Sequence, residues 1–211
     1  MKYSRPADIE KRSFEIIKSE MKTEPAEDIA PVLMRVIHTT ADFDYEQNLV
    51  FSEGAVQAAM DAFDKGAVIV TDTNMALSGI NKGALAKLHL EAVCYMANLE
   101  IAAEAKSRGI TRAAASMEKA SRITGKPLIF AIGNAPTALI RLADLIEEGA
   151  VDPALVIGVP VGFVNVVESK ERMIKTAKNH IIARGRKGGS NVAAAIVNAL
   201  MYEKIDPARN K

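Results

Sequence analysis

Of the three histidines in the chain, His38 has the most suggestive surroundings: it opens the run Thr39-Thr40-Ala41-Asp42-Phe43-Asp44, which places two carboxylates close to an imidazole. Imidazole exchanges a proton more readily near neutrality than any other side chain, and a neighbouring carboxylate favours its charged form. The run therefore has the composition of a general acid or base. A histidine closing an apolar helical stripe also fits a plainer role, as a cation at a helix carboxyl end. His89 and His180 lack such neighbours.

A second group of residues is suited to holding anions. Arg184-Gly185-Arg186-Lys187-Gly188-Gly189-Ser190-Asn191 joins glycines, which let backbone approach a ligand, to two further cations and the start of a helix. Gly133-Asn134-Ala135-Pro136-Thr137 sets a proline at a helix start, with Asn134 as a cap or as an amide aimed at a ligand. Gly158-Val159-Pro160-Val161-Gly162 offers another close backbone approach, and Arg112 heads an alanine-rich helix from which its guanidinium can grip a carboxylate. Each segment alone also reads as an ordinary turn, a flexible cap or a solvated arginine.

Several chemistries find no support. No His, Cys, Asp and Glu spacing resembles a zinc site, and neither a Walker loop nor an early Gly-x-Gly-x-x-Gly turn is present, so no metal or nucleotide cofactor is expected. The single Cys94 lies in an apolar run and cannot form an intrachain disulfide. A net charge of +1 gives no basic field for nucleic acid. No stretch approaches the ~20 apolar residues of a membrane helix, and no apolar leader follows Met1-Lys2-Tyr3-Ser4-Arg5-Pro6, so a cytoplasmic protein without membrane contact is expected.

The elements that must position these residues follow from periodicity. Pro6 to Met21, Pro25 to His38 and Ala55 to Phe63 carry apolar residues at helical spacing. The pattern then changes to short β-branched runs at 67–72, 92–95, 128–132, 155–159 and 181–183, separated by helical stretches at 100–107, 112–122, 136–148 and 170–178 and followed by one at 192–202. Such alternation predicts an α/β fold, a mostly parallel sheet flanked by helices on both faces in three layers, with ligands at the carboxyl ends of the strands. The whole chain, 1–211, reads as one domain without repeats or linkers.

Taken together, the segments resemble the precorrin-8X methylmutase family. The resemblance rests on Ile9-Glu10-x-x-Ser13-Phe14-x-x-Ile17, Val36-Ile37-His38-Thr39-Thr40-Ala41-Asp42, Asp72-x-x-Met75-x-x-x-Gly79-Ile80, Thr111-Arg112-Ala113-Ala114, Ile132 through Leu139, Gly158-x-Pro160-Val161-Gly162-Phe163-Val164 with Glu168-Ser169-Lys170, and Arg184-Gly185-Arg186-x-Gly188-Gly189-Ser190, all in chain order. It implies a homodimeric isomerase of cobalamin biosynthesis that moves a methyl group from C-11 to C-12 of precorrin-8X or cobalt-precorrin-8, giving hydrogenobyrinate or cobyrinate. It implies His38 as the acid that protonates the macrocycle. Substrate contacts would come from Ser13, Thr39, Asp72, Arg112, Asn134, Gly162, Arg186, Lys187, Gly188 and Gly189. No cofactor is implied, and any cobalt belongs to the substrate. The run after His38 is more similar to the cobalt-dependent branch than to the aerobic one.

Two other functions use the same residues. A tetrapyrrole methyltransferase would hold S-adenosylmethionine in Gly-rich turns, although Val70 leads into Thr71-Asp72-Thr73 where its first such turn belongs. A non-catalytic corrinoid carrier would use the loops and have no need of His38.

Overall fold

The computed structural model describes residues 5–206; the segment Met1–Ser4, read above for a leader, lies outside them. The elements run α1 (Pro6–Glu20), α2 (Ala30–Thr40), α3 (Tyr45–Asn48), β1 (Leu49–Phe51), α4 (Ala55–Asp64), β2 (Val68–Thr71), α5 (Asn74–Gly79), α6 (Lys82–Lys87) and β3 (Glu91–Cys94). They continue with α7 (Leu99–Arg108), α8 (Arg112–Ala120), β4 (Leu128–Ile132), α9 (Pro136–Glu147), β5 (Leu155–Gly158), α10 (Val166–Thr176), β6 (His180–Ala183) and α11 (Ser190–Ile205).

Six strands form one sheet in the order β1-β6-β5-β4-β2-β3, parallel except for β1, which pairs antiparallel with β6. The predicted mostly parallel sheet is therefore observed. Its central strands are buried along their whole length and mostly apolar because both faces are covered. Side chains alternate between two cores. Ile69, Ile129, Ile157 and Ile181 point to the layer of α2, α4 and α11, whereas Val70, Phe130, Ile132, Val156 and Ile182 meet α8, α9 and α10. A side chain such as Phe130, fully buried, contributes about 1.5–3 kcal/mol by leaving water. Helix α11 is buried along nearly its whole length, in keeping with its Ala-Ala-Ala-Ile-Val composition.

Four elements were not foreseen. Helices α3, α5 and α6 are four to six residues long, too short for a periodic signal. Strand β1 has only three residues. Helix α2 begins at Ala30 rather than at Pro25, with Pro31 in its first turn, and α10 starts at Val166, four residues ahead of the expected Lys170.

The antiparallel edge strand decides where His38 lies. Because Leu49 pairs with Ala183, the amino end of β1 adjoins the carboxyl end of β6, and the Arg184 N–H donates to Asn48 O at 2.7 Å. The α2–α3 turn is thus delivered to the sheet edge where the parallel strands end.

Candidate active site

Five strand ends lie side by side along this edge. Their loops are Arg184–Gly189 after β6, Val159–Val164 after β5, Gly133–Ala135 after β4, Asp72–Thr73 after β2 and Tyr95–Asn98 after β3. With neighbouring strands ~4.8 Å apart, the row from β6 to β3 spans roughly 19 Å, which suits a broad ligand with several arms better than a compact one.

The loops lock together through backbone. A Cβ on Gly188 would collide with Val159 O, and one on Gly133 would meet Gly189 O and Ser190 Cα at 2.7 Å each, so both positions need the bare backbone of glycine. Gly189 N–H donates to Val159 O at 2.8 Å, Gly162 N–H to Arg186 O at 3.2 Å, and the hydroxyls of Thr73 and Ser190 lie 2.8 Å apart. Of the expected substrate contacts, Gly162, Gly188 and Gly189 are therefore placed together.

His38 stands exposed near the carboxyl end of α2, its ring 5.2 Å from that of Phe14 on α1. Arg35, one turn earlier, packs its guanidinium over the same Phe14 ring at 4.7 Å and pairs with Glu10 at 2.6 Å, fixing α1 against α2. The Ser13 hydroxyl donates to Ile9 O at 2.9 Å, and that of Thr39 to Arg35 O at 2.9 Å, so both are engaged with their own helices. After Thr40 the chain turns at Ala41 in the left-handed region, and Asp42 accepts from the Asp44 N–H at 3.0 Å.

The carboxylates expected to accompany the imidazole have another partner. Lys187 Nζ donates to Asp42 Oδ2 and to Asp44 Oδ2, each at 2.6 Å, joining the Gly-rich loop to the turn that follows His38. The Lys187 ammonium holds the Asp42 carboxyl below its ordinary value, and the two carboxylates raise the ammonium. Lys187 was expected to grip substrate; in the structure it clasps this turn.

Asp72, expected at the substrate, has backbone partners within the fold. It is fully buried, and its carboxylate accepts from the N–H groups of Gly133, Asn134 and Ala135 at 2.8, 2.8 and 2.6 Å. Burial pushes its carboxyl above the ordinary value, with the three N–H bonds pulling the other way. Parallel order reverses between β2 and β4, a point where α/β sheets commonly bind ligands, and here a side chain of the protein bridges it. Asp72 thus braces the β4–α9 turn from beneath, and Asn134, expected as cap or ligand amide, is left exposed to the edge.

Two exposed arginines, Arg112 and Arg186, have no carboxylate partner among the described residues. Arg112, exposed at the start of α8, makes one long contact from Nη1 to Met96 O at 3.5 Å. Arg186 lies over the Phe163 ring at 5.4 Å. They sit toward opposite ends of the row. Met75, Leu99, Phe163 and Val164, all highly exposed, add an apolar rim to it.

Lys170 stands in the sequence motifs without a role. Lys170 of α10 is fully buried, and its Nζ donates to Gly185 O and Lys187 O at 2.8 Å each, from beneath the Gly-rich loop. A lysine in a helix four residues from its start carries no signal of burial. Only the packing of α10 on β6 reveals it.

Residues 8–203 match the family described as precorrin-8X methylmutase. The chain belongs to the precorrin-8X methylmutase family. It is 46% identical over 204 residues to the cobalt-precorrin-8 methylmutase of Salmonella typhimurium, covering 94% of this chain and 95% of that one. Identity to the precorrin-8X methylmutase of Pseudomonas aeruginosa is 37% over 201 residues, covering 93% and 95%. The solved precorrin-8X methylmutase of Thermus thermophilus superposes with a TM-score of 0.87 at 38% identity, over 95% of this chain and 97% of that one. The chain is thus a methylmutase of cobalamin biosynthesis, an isomerase, which sets aside the transferase and carrier readings. Among the described residues no helix is long and apolar enough to cross a membrane.

Proposed function

We propose that the chain moves one methyl group from C-11 to C-12 of a corrin-ring precursor, with His38 lending the ring a proton. The σ bond from methyl to C-11 breaks as the bond to C-12 forms, and the π electrons of the conjugated ring shift to compensate. The proton is lent and returned, so the isomerisation is neutral in protons and electrons. Protonation withdraws electron density from the skeleton as the group moves, which is work suited to an imidazole at the mouth of an anion-binding edge.

The observation that carries this reading is the clasp of Lys187 on Asp42 and Asp44, which sets the His38 turn beside the Gly188-Gly189 loop. Arg186 and Arg112 receive acetate or propionate arms, and the apolar rim at Met75 and Leu99 meets the ring face. Ser13, Thr39, Asn134 and Gly162 border the substrate, whereas Asp72 and Lys187 hold the loops that touch it. Cobalt, where present, belongs to the substrate, and the higher identity to the Salmonella relative favours cobalt-precorrin-8. The enzyme acts as a cytoplasmic homodimer, the exposed Phe163 and Val164 being suited to a partner copy.

The test is direct. Purified protein is mixed with cobalt-precorrin-8 and with precorrin-8X, and the visible spectrum is followed, since methyl migration alters conjugation. Formation of cobyrinate or hydrogenobyrinate is expected; a bound precursor that never changes spectrum contradicts the reading.

A further inference from the structure

Lys170 presents an electrostatic imbalance. It is the lysine of the described chain withdrawn completely from solvent, yet among the described residues its ammonium meets only two carbonyls, Gly185 O and Lys187 O, and no carboxylate within salt-bridge range. The acids on the elements around it have other partners: Glu171 pairs with Arg184, Asp144 and Glu147 with Arg172, Glu148 with Arg141, and Asp42 and Asp44 with Lys187. Glu168 is exposed in the first turn of α10, and the His180 ring pairs through Nδ1 with Ala177 O. The remaining nearby charge, Arg186, has the same sign as Lys170. A buried charge is costly unless matched, and the two carbonyls supply dipoles rather than a counter-charge.

The loop that covers this ammonium is the one assigned above to an anionic arm of the substrate. We propose that Lys170 is a positioning residue whose buried charge is completed by a substrate carboxylate seated on the Gly185–Gly189 loop. Lys170 acts through the loop's peptides and does not touch the substrate. The inference rests on the proposed function, which supplies the carboxylate.

The consequence is a proton linked to binding. In the free enzyme burial pushes the Lys170 ammonium down to about 8. A carboxylate above the loop favours the charged form and raises that value, so binding takes up a proton wherever the free enzyme has partly lost it. Affinity is then full below about pH 8 and declines above it. A strut that merely supported the loop would show no such linkage, because a neutral amine still has hydrogens for both carbonyls.

The experiment is a calorimetric titration with cobyrinate between pH 6.5 and 9.5, in two buffers of different ionisation enthalpy, on the wild type and Lys170→Met. For the wild type we expect affinity to fall by up to about tenfold per pH unit above pH 8, with proton uptake approaching one per molecule bound. Lys170→Met is expected to bind more weakly at pH 7, with a flat profile and no uptake. A wild-type profile that is flat, or a Lys170→Met profile with the wild-type slope, overturns the assignment and leaves the proposed function standing. Should Lys170→Met fail to fold, the wild-type proton count decides alone: near one supports the assignment, and zero overturns it. Cobyrinate that binds at no pH overturns both this assignment and the reading on which it rests.

Discussion

Lys187 Nζ meets Asp42 Oδ2 at 2.6 Å across 145 residues of sequence, and with Asp44 this contact joins the Gly-rich loop to the turn behind the proposed acid. The pair is half-exposed, and such pairs contribute little to global stability. Lys187→Met should therefore leave the melting temperature nearly unchanged, yet raise KM and lower kcat together, because it frees both loop and turn. Asp42→Asn should reproduce part of the effect, and the double variant should be no worse than Lys187→Met alone. Additive losses would show that the two residues act separately. The Asp42 carboxyl is held below its ordinary value, so the clasp is complete above ~pH 4 and is lost only as pH falls through that depressed value.

Asp72 is expected to matter for folding rather than for substrate contact. An amide at this site accepts through one oxygen and turns an NH2 toward the N–H groups of the β4–α9 turn, leaving buried donors unmatched. Losing charge-assisted bonds of this kind costs about 1.5–3 kcal/mol. Asp72→Asn should therefore melt several degrees lower while retaining measurable corrinoid binding. An unchanged melting temperature together with lost binding would move Asp72 to the substrate side.

Much of this site could be read from sequence, and the remainder divides by physical cause. Strand-end glycines and arginines were visible because each stands where a β-branched run gives way to a helical one, as at Ala183 to Ser190. The meeting of the Asp42–Asp44 turn with that loop was not, because it depends on β1, a three-residue edge strand whose Leu-Val-Phe has no distinctive pattern. For Asp72 and Lys187 the sequence points to a place at the strand ends but not to their partners in the fold, since it cannot show that a carboxylate has three backbone donors or an ammonium two carboxylates. Lys170 belongs to the same class, its burial being a property of packing alone.

Arg112 and Arg186 should govern affinity. Each lacks a carboxylate partner among the described residues, so replacing either with alanine removes a contact that only the substrate supplies. The expected loss per residue is about 1.5–3 kcal/mol, roughly ten- to a hundredfold in KM, with kcat largely retained. A rate that remains depressed at saturating substrate would instead place them in the transition state.

Stability should carry the mark of Lys170 in alkaline solution. Its value is near 8 when folded and ~10.4 when unfolded, so between these limits the unfolded chain binds more protons and stability rises with pH. Burial holds the Tyr45 hydroxyl above its ordinary value, which acts in the opposite sense only above about pH 10. Urea denaturation from pH 7.5 to 10 should show the wild type gaining stability relative to Lys170→Met. Parallel curves for the two proteins would indicate that the ammonium is matched in the folded state.

His38 is the proposed proton donor, and the deciding measurement is a single-turnover rate on His38→Ala. The residue is exposed and closes its helix without contributing to the core, so the variant should fold and bind cobyrinate like the wild type. Its rate of methyl migration should fall by the ~10²–10⁴-fold typical of a lost general acid, while His89→Ala and His180→Ala remain within a few-fold of wild type. A folded, binding-competent His38→Ala enzyme that converts bound precursor at near the wild-type rate would contradict the account.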